Sequence, residues 1–321
     1  MSSREQIDSL RRHLEQKVIG QEALTLRLLI ALLADGHLLV EGPPGLAKTR
    51  AVKVLAELIE GEFHRIQFTP DLLPGDLTGT EIYRPEDHSF SFQPGPLFHN
   101  LLLADEVNRA PAKVQSALLE AMAERQITIG RETYHLPRLF MVMATQNPIE
   151  QEGTYPLPEA QLDRFLLKVH MGYPAREAER RIVELVHREL AAPAGPSERP
   201  AHIPQRVIFQ ARSEALQTHM ADSVRDYLVE LVRATRDPGL YRHELAQWIA
   251  FGASPRAGIA LDLCSRALAW LQGRTFVSPE DVQAIAVDVL RHRLVLSFEA
   301  EASAVSADDY IGELLRRVPV P

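Results

Sequence analysis

Short apolar runs alternate with longer amphipathic stretches from the N-terminus to about Met171. We predict strands at residues 38–41, 64–68, 101–104, 139–144 and 166–170. Strands that are almost wholly apolar and that alternate with helices are typical of a parallel sheet covered by helices on both faces. The pattern therefore predicts an α/β domain in this part of the chain.

Residues 111–125 have the clearest helical period of this region. Val114, Leu118, Ala121 and Met122 recur at the spacing that places them on one face of a helix. Two polar insertions interrupt the alternation, near residues 75–96 and 126–137. Each alternates as a pair of strands would, and the second turns at Gly130 and Arg131, so we predict a hairpin at each.

The C-terminal part of the chain follows a different pattern. A charged helix is predicted at 175–190, and residues 191–204 contain four prolines, which is typical of a linker. Beyond the linker every segment has a helical period, and Ser254-Pro255 and Ser278-Pro279 are both typical helix starts. We therefore predict an α/β domain over 1–190 and an all-α domain over 205–321.

Composition excludes several classes of protein. The 321 residues are 45% hydrophobic and 24% charged, which is usual for a soluble globular chain. A net charge of −8 weighs against a protein that binds nucleic acid by neutralising phosphates. The single Cys264 excludes an internal disulfide, no apolar run reaches the roughly 18 residues of a membrane span, and the N-terminus lacks a signal-peptide core. We expect a cytoplasmic protein.

The segment between the first predicted strand and the next helix is the most informative part of the sequence. A glycine-bearing loop followed by Lys-Thr at the start of a helix suits a triphosphate, because backbone N–H groups and the helix dipole favour anions there. Lys48 would contact the β- and γ-phosphates, and the Thr49 hydroxyl would bind Mg²⁺. Ala47 stands where the consensus GxxxxGK[ST] has its second glycine. The alternative is an ordinary turn with a chance Lys-Thr. The predicted nucleotide contacts are Gly42, Pro43, Pro44, Gly45, Leu46, Ala47, Lys48, Thr49 and Arg50.

Two acidic residues end the third predicted strand. Asp105 is placed to bind Mg²⁺, and Glu106 to orient and polarise an attacking water. Taken alone, the pair is equally consistent with a strand that ends in two solvated acids. Downstream of a phosphate-binding loop, the catalytic interpretation is favoured.

Polar residues after the later strands complete the candidate set. Asn147 follows the fourth strand, where its amide can contact the γ-phosphate or hold a water, although Asn-Pro is also a common turn. Arg164 is a candidate arginine finger for a neighbouring subunit, and a structural Asp–Arg pair is the alternative.

Two further contacts are predicted outside that set. Arg256 lies in the first turn of a helix, where the dipole disfavours a cation, so we predict an anionic partner; a plain surface arginine is the alternative. Val18 and Ile19 offer apolar and backbone contacts to an adenine ring.

The order of these residues along the chain resembles the MoxR family of AAA+ ATPases. The resemblance rests on residues 41–49, 67–76, 104–110, 144–148, 159–165 and 252–257, and spans the chain from about Val18 to Ala257. Alanine at position 47 is usual in that family. The helical remainder is similar to the family's lid domain.

The resemblance implies a Mg²⁺-dependent ATPase that works as a hexameric ring. Lys48, Glu106 and Asn147 would act with Arg164 supplied by the next subunit, Thr49 and Asp105 would hold the metal, and Arg256 would sense the nucleotide. The two insertions would face the axial pore, and Arg109 is given no catalytic role. MoxR-like proteins act as chaperone-like maturation factors for protein complexes, often with a von Willebrand factor A domain partner.

Two other functions remain open on the sequence alone. The first is an assembly scaffold that binds ATP with little turnover, against which the presence of Glu106, Asn147 and Arg164 speaks. The second is a nucleic-acid motor or regulator, which the acidic balance makes less favoured.

Overall fold

The computed structural model describes residues 2–86, 88–148, 153–191, 202–241 and 243–321. It divides into two compact units: Met1–Leu29, His37–Leu157 and Val169–Ile208 form the first, and Ile30–Gly36, Pro158–Lys168 and Phe209–Pro321 form the second. Most of the linker predicted at 191–204 lies outside the described residues, and the predicted domain limits stay a prediction. No helix within the described ranges has the length and apolar character that crossing a membrane requires.

The secondary structure within the described residues consists of helices and strands numbered here in chain order. The helices are α1 (Ser3–Lys17), α2 (Glu22–Leu33), α3 (Lys48–Leu58), α4 (Pro74–Thr78), α5 (Ala112–Glu124), α6 (Glu159–Leu162), α7 (Arg176–Ala191), α8 (Gln205–Leu216), α9 (Asp222–Arg236), α10 (His243–Ala246), α11 (Pro255–Leu271), α12 (Pro279–Leu290), α13 (Phe298–Ala302) and α14 (Ala307–Arg317). The strands are β1 (Leu38–Glu41), β2 (Phe63–Gln67), β3 (Gly79–Arg84), β4 (Ser89–Pro94), β5 (Leu101–Asp105), β6 (Gln126–Ile129), β7 (Glu132–His135), β8 (Met141–Gln146), β9 (Leu167–His170), β10 (Ile249–Phe251) and β11 (Val295–Leu296).

Five strands form the main sheet, in the order β2-β5-β8-β1-β9. The pairs β2 with β5, β5 with β8, and β8 with β1 are all parallel. The central strand β8 is buried from Met141 to Thr145, and β5 is buried along its whole length. The parallel α/β architecture predicted from the apolar runs is confirmed, and it brings the carboxyl ends of these strands to one edge of the sheet.

Both insertions into the first unit are hairpins, as their alternation predicts. The strands β3 and β4 pair antiparallel, and so do β6 and β7, which turn at Gly130 with a φ of +60°. The rings of Phe92 and Tyr134 stack between the two hairpins, with their centroids 4.1 Å apart. The hairpins therefore contact one another.

The second unit is mainly helical and has its own core. Helix α11 packs against α12 and α9, and it buries Leu261, Cys264 and Leu268. The prediction that every segment beyond the linker is helical is wrong at two short stretches, because β10 and β11 pair antiparallel. Strands of three and two residues are too short to show an alternating pattern, so the sequence carried no signal for them.

His37 joins three elements of the first unit. Its side chain is 4% exposed, and its Nδ1 accepts the N–H of Val142 in β8 at 3.0 Å. Since Nδ1 accepts, Nε2 carries the hydrogen and donates to the Met122 carbonyl of α5 at 3.3 Å. The imidazole thereby holds the start of β1 against β8 and α5.

We expect His37→Ala to lower the free energy of unfolding by about 2–4 kcal/mol, because it leaves a cavity and a buried N–H without its acceptor. Urea unfolding and amide hydrogen exchange at Val142 measure the effect. His135→Ala, at an exposed position on β7, is the matched control and should change stability by less than about 0.5 kcal/mol. Equal effects at the two histidines would contradict the assignment.

Candidate functional site

The loop between β1 and α3 has an unusual backbone. Gly45 and Ala47 both have positive φ values, +83° and +60°. A Cβ at Gly42 would lie 2.9 Å from the Met171 carbonyl oxygen, so only glycine fits there. The helix begins at Lys48, and its first N–H groups have no carbonyl acceptors within the helix. The loop therefore presents backbone donors and the positive end of a helix dipole, which suits an anion.

Lys48 crosses the mouth of this loop. Its Nζ donates to the Gly42 carbonyl at 2.7 Å and to the Gln146 carbonyl, at the end of β8, at 3.5 Å. These acceptors are neutral, and an ammonium group bonds more strongly to a charged phosphate oxygen. The side chain is thus held at the site by contacts that a phosphate can replace.

Hydrogen bonds hold both carboxylate oxygens of Asp105 at the edge of the sheet. It is 9% exposed, and its Oδ1 accepts the Thr145 hydroxyl of the neighbouring strand at 2.5 Å. Its Oδ2 accepts Nη2 and Nε of Arg65, on β2, at 2.7 and 3.2 Å. Both carboxylate oxygens are therefore satisfied, and the arginine supplies a compensating charge.

Glu106 lies directly after β5 in a left-handed conformation with a φ of +57°. Its backbone N–H donates to the Thr145 hydroxyl at 2.9 Å. Its Oε2 accepts the Gln67 side chain at 2.8 Å and Nη1 of Arg109 at 3.1 Å. The carboxylate direction is thus set by two side chains to which the sequence analysis gave no such role.

These groups surround one cavity of about 400 Å³ in the first unit. The predicted residues Lys48, Thr49, Asp105, Glu106 and Asn147 all line it, together with Arg65 and much of the loop. Among the described residues no group of three or more His, Cys, Asp or Glu side chains is arranged to hold a metal ion. A divalent cation here would have Asp105 and Thr49 as protein ligands, which fits Mg²⁺, an ion that keeps waters and binds substrate phosphates.

The loop residues Gly45, Leu46 and Ala47 also line a smaller, mostly apolar cavity of about 80 Å³. Ile19 lines it, whereas its neighbour Val18 is 1% exposed and does not, and the predicted contact of both residues with adenine stays a prediction. Sequence analysis missed the other apolar wall, formed by Pro174 and by Ile182, Leu185 and Val186 of α7. The spacing of those three residues on one helix face was the available signal.

Arg50 lies between the two cavities and lines both. Its Nε donates to the Lys17 carbonyl at 2.7 Å, and its Nη2 contacts Glu189 at 2.6 Å. The hydrogen bond from Arg50 lowers the pKa of the Glu189 carboxyl. Arg50 therefore fastens α7 beside the loop, and its predicted contact with nucleotide stays a prediction.

The remaining predicted residues belong to the second unit. Arg164 follows α6, and its guanidinium makes no hydrogen bond or ion pair with the described residues. Asp163 pairs instead with Arg293 at 2.8 Å, so no structural Asp163–Arg164 pair exists among those residues. Arg256 is 58% exposed, and its Nη1 lies 3.7 Å from Oδ2 of Asp163.

Comparison with known proteins gives a consistent pattern. The model of the ATPase family associated with various cellular activities (AAA) matches residues 37–167, and the model of the AAA lid domain matches residues 244–314. The chain is 47% identical to Chaperone MoxR1 of Mycobacterium tuberculosis, over 95% of this chain and 79% of that protein. It is 33% identical to Protein MoxR of Paracoccus denitrificans, over 95% and 93% of the two chains.

A solved structure has the same fold. The crystal structure of a proposed ATPase from Cytophaga hutchinsonii superposes with a TM-score of 0.91 and is 45% identical. The match covers 99% of this chain and 96% of that one.

We expect Ala47→Val to weaken ADP binding by about tenfold or more, because a β-branched side chain is strongly disfavoured at positive φ. Ala47→Gly is the matched control and should bind as tightly as the parent, since glycine adopts this conformation without a steric penalty. Titration with a fluorescent ADP analogue measures both, and thermal unfolding checks that each variant is folded. Equal affinities would mean that the left-handed conformation is dispensable.

Proposed function

The chain belongs to the MoxR family of AAA+ ATPases, and we propose that it hydrolyses ATP with Mg²⁺ in a hexameric ring. The observation that carries this proposal is the single cavity shared by the loop, Lys48, Asp105, Glu106 and Asn147. One cavity with a cation, a pair of carboxylates and an amide contains the groups that phosphoryl transfer to water needs.

Each side chain has a role that its surroundings support. Lys48 and the loop N–H groups bind the phosphates, and Thr49 and Asp105 hold Mg²⁺, which when bound neutralises charge on the phosphate oxygens. Glu106 is held by Gln67 and Arg109 at the cavity wall, where its carboxylate orients the attacking water. Asn147, 6% exposed at the end of β8, holds the γ-phosphate or that water.

The active site is completed by a second subunit in this proposal. The Arg164 guanidinium has no partner among the described residues, which suits a group that acts on a neighbour's phosphate. Arg256 senses the nucleotide from the lid of its own subunit. The apolar cavity with Ile19 and α7 takes the adenine ring, with Val18 supporting Ile19 from behind.

The use of the ATPase cycle is proposed from the relatives. A 47% identical relative is called a chaperone, which supports a chaperone-like role in the maturation of a protein complex. We propose a protein client that contacts the two hairpins, a von Willebrand factor A domain partner, and a cytoplasmic location. The negative net charge supports a protein client over nucleic acid.

The specific ATPase rate should rise with protein concentration, because the monomer lacks the neighbour's Arg164. Turnover with Mg²⁺, measured beside sedimentation with and without ATP, checks this. Lys48→Ala is the control and should lose at least about 100-fold in turnover, since it removes the cation at the phosphates. A flat rate per subunit down to the monomer would remove the shared site. ATP-dependent assembly without turnover would instead favour a scaffold.

Arg164→Ala should bind ATP normally and lose about 10³-fold in turnover, the scale of an arginine finger. Glu106→Gln should also bind ATP and hydrolyse it slowly, since it keeps the side-chain shape but loses the carboxylate. In a mixed ring, a Glu106→Gln subunit still has Arg164, and an Arg164→Ala subunit still has Glu106. Where the two are neighbours, the first can supply its Arg164 to the ATP site of the second, which forms a complete active site. Turnover above the sum of the two variants supports action in trans, and Arg164→Ala with full activity would contradict the finger.

A further inference from the structure

The segment that carries Arg164 is fastened to the lid by three consecutive side chains. Arg293 donates to the Phe165 carbonyl at 2.6 Å and to the Leu166 carbonyl at 3.2 Å. His292 donates through Nε2 to the Phe165 carbonyl at 3.0 Å, and Arg291 donates to the Lys168 carbonyl at 3.2 Å. The backbone that follows Arg164 is therefore hydrogen-bonded to the three residues that follow α12.

Asp163 fastens the other side of Arg164. Its Oδ1 accepts Nε of Arg293 at 2.8 Å, and its Oδ2 accepts the Ser254 hydroxyl at 2.9 Å. The Arg256 guanidinium lies 3.7 Å from the same Oδ2. The Asp163 carboxylate thus contacts three side chains. They are the buried Arg293, the N-cap residue Ser254 of α11, and the exposed Arg256 that is proposed to sense nucleotide.

The two arginines that contact Asp163 differ in burial. The Arg293 side chain is 3% exposed, and burial lowers its pKa whereas the charge of Asp163 raises it. Arg256 is 58% exposed and makes a longer contact, so it can exchange Asp163 for another anion. Asp163 therefore has a buried partner, Arg293, and an exposed partner, Arg256, whose contact can be exchanged for another anion.

We infer that Asp163 is a positioning residue for Arg164. The carboxylate holds the finger segment on the lid through Arg293 and Ser254, and it shares Oδ2 with Arg256. The position of the finger offered to one subunit then depends on what Arg256 binds in its own subunit. This inference rests on the proposed function, because it requires Arg164 to act in catalysis.

Asp163→Asn tests the inference, since it keeps the shape and removes the charge. It should lower kcat by about tenfold or more while the affinity for a fluorescent ATP analogue changes by less than about threefold, because the binding cavity is untouched. In the Arg164→Ala background the same change should cause no further loss, since both act through one group. A full additional loss there would overturn the inference.

Mixed rings separate positioning from a general effect on the lid. Asp163→Asn leaves every residue that lines the ATP cavity unchanged, so Glu106→Gln subunits should restore turnover at that cavity by supplying a well-placed Arg164. A variant whose own site or lid has failed is not rescued in this way. Absence of rescue, with Arg164→Ala rescued in parallel, would overturn the inference but leave the proposed function standing. Full activity of Arg164→Ala itself would instead overturn the proposed function.

Ser254→Ala provides a milder change in case Asp163→Asn folds poorly. It removes one hydrogen bond to Asp163 and also the N-cap of α11. Ser306→Ala, which removes the N-cap hydroxyl of α14 and its hydrogen bond from a helix N–H, is the matched control, since Ser306 does not contact Asp163. Thermal unfolding should shift similarly in both, whereas kcat should fall at least about threefold further in Ser254→Ala if the contact with Asp163 positions the finger. Equal kcat values would overturn the inference.

Discussion

The Thr145 hydroxyl joins two neighbouring parallel strands at their carboxyl ends. It donates to Asp105 at 2.5 Å and accepts the N–H of Glu106 at 2.9 Å, so one oxygen fixes both acidic residues. Glu106 has a φ of +57°, a conformation that costs of order 1 kcal/mol or more in a non-glycine residue. The hydrogen bond from its N–H, and that from the Arg109 N–H to its carbonyl at 2.9 Å, hold it there. This junction fixes the Asp105 carboxylate and the backbone of Glu106, whereas Gln67 and Arg109 set the direction of the Glu106 carboxylate.

Cations in the cavity already have protein oxygens as partners. Arg65 lies on Asp105, and Lys48 lies on the carbonyls of Gly42 and Gln146. Arg65 is half exposed, so its pair with Asp105 is partly screened by water and is weaker than a fully buried pair. A metal would compete with Arg65 for the Asp105 carboxylate, and a phosphate would compete with the two carbonyls for the Lys48 ammonium group. The free-energy cost of exchanging these contacts is therefore small, because the acceptors of Lys48 named here are neutral and the Arg65–Asp105 pair is partly screened by water.

The sequence was sufficient for the parts of the fold that local patterns determine. The strands, α5, both hairpins and the loop with Lys48 follow from periodicity and from one motif, and their positions agree with the structure to within a few residues. Arg65 and Gln67 could not be assigned in this way, because their partners Asp105 and Glu106 are distant in the chain. Their shared face on β2 is visible as an i, i+2 spacing, but the order of strands that brings β2 beside β5 is not. The same limit applies to α7, whose apolar face was readable and whose place beside the loop was not.

The segment with Arg164 shows how sequence neighbours can serve different units. It lies in the chain between β8 and β9 of the sheet, yet residues 158–168 belong to the compact unit that contains the lid helices. The contacts from Arg291, His292 and Arg293 explain this, because they satisfy backbone carbonyls that a loop beside a sheet would otherwise leave to water. If Arg164 lay on a loop bonded only to the sheet, its position would not depend on the lid. The backbone beside Arg164 is instead hydrogen-bonded to lid residues, so in the proposed role a change in the lid would also change the position of the finger.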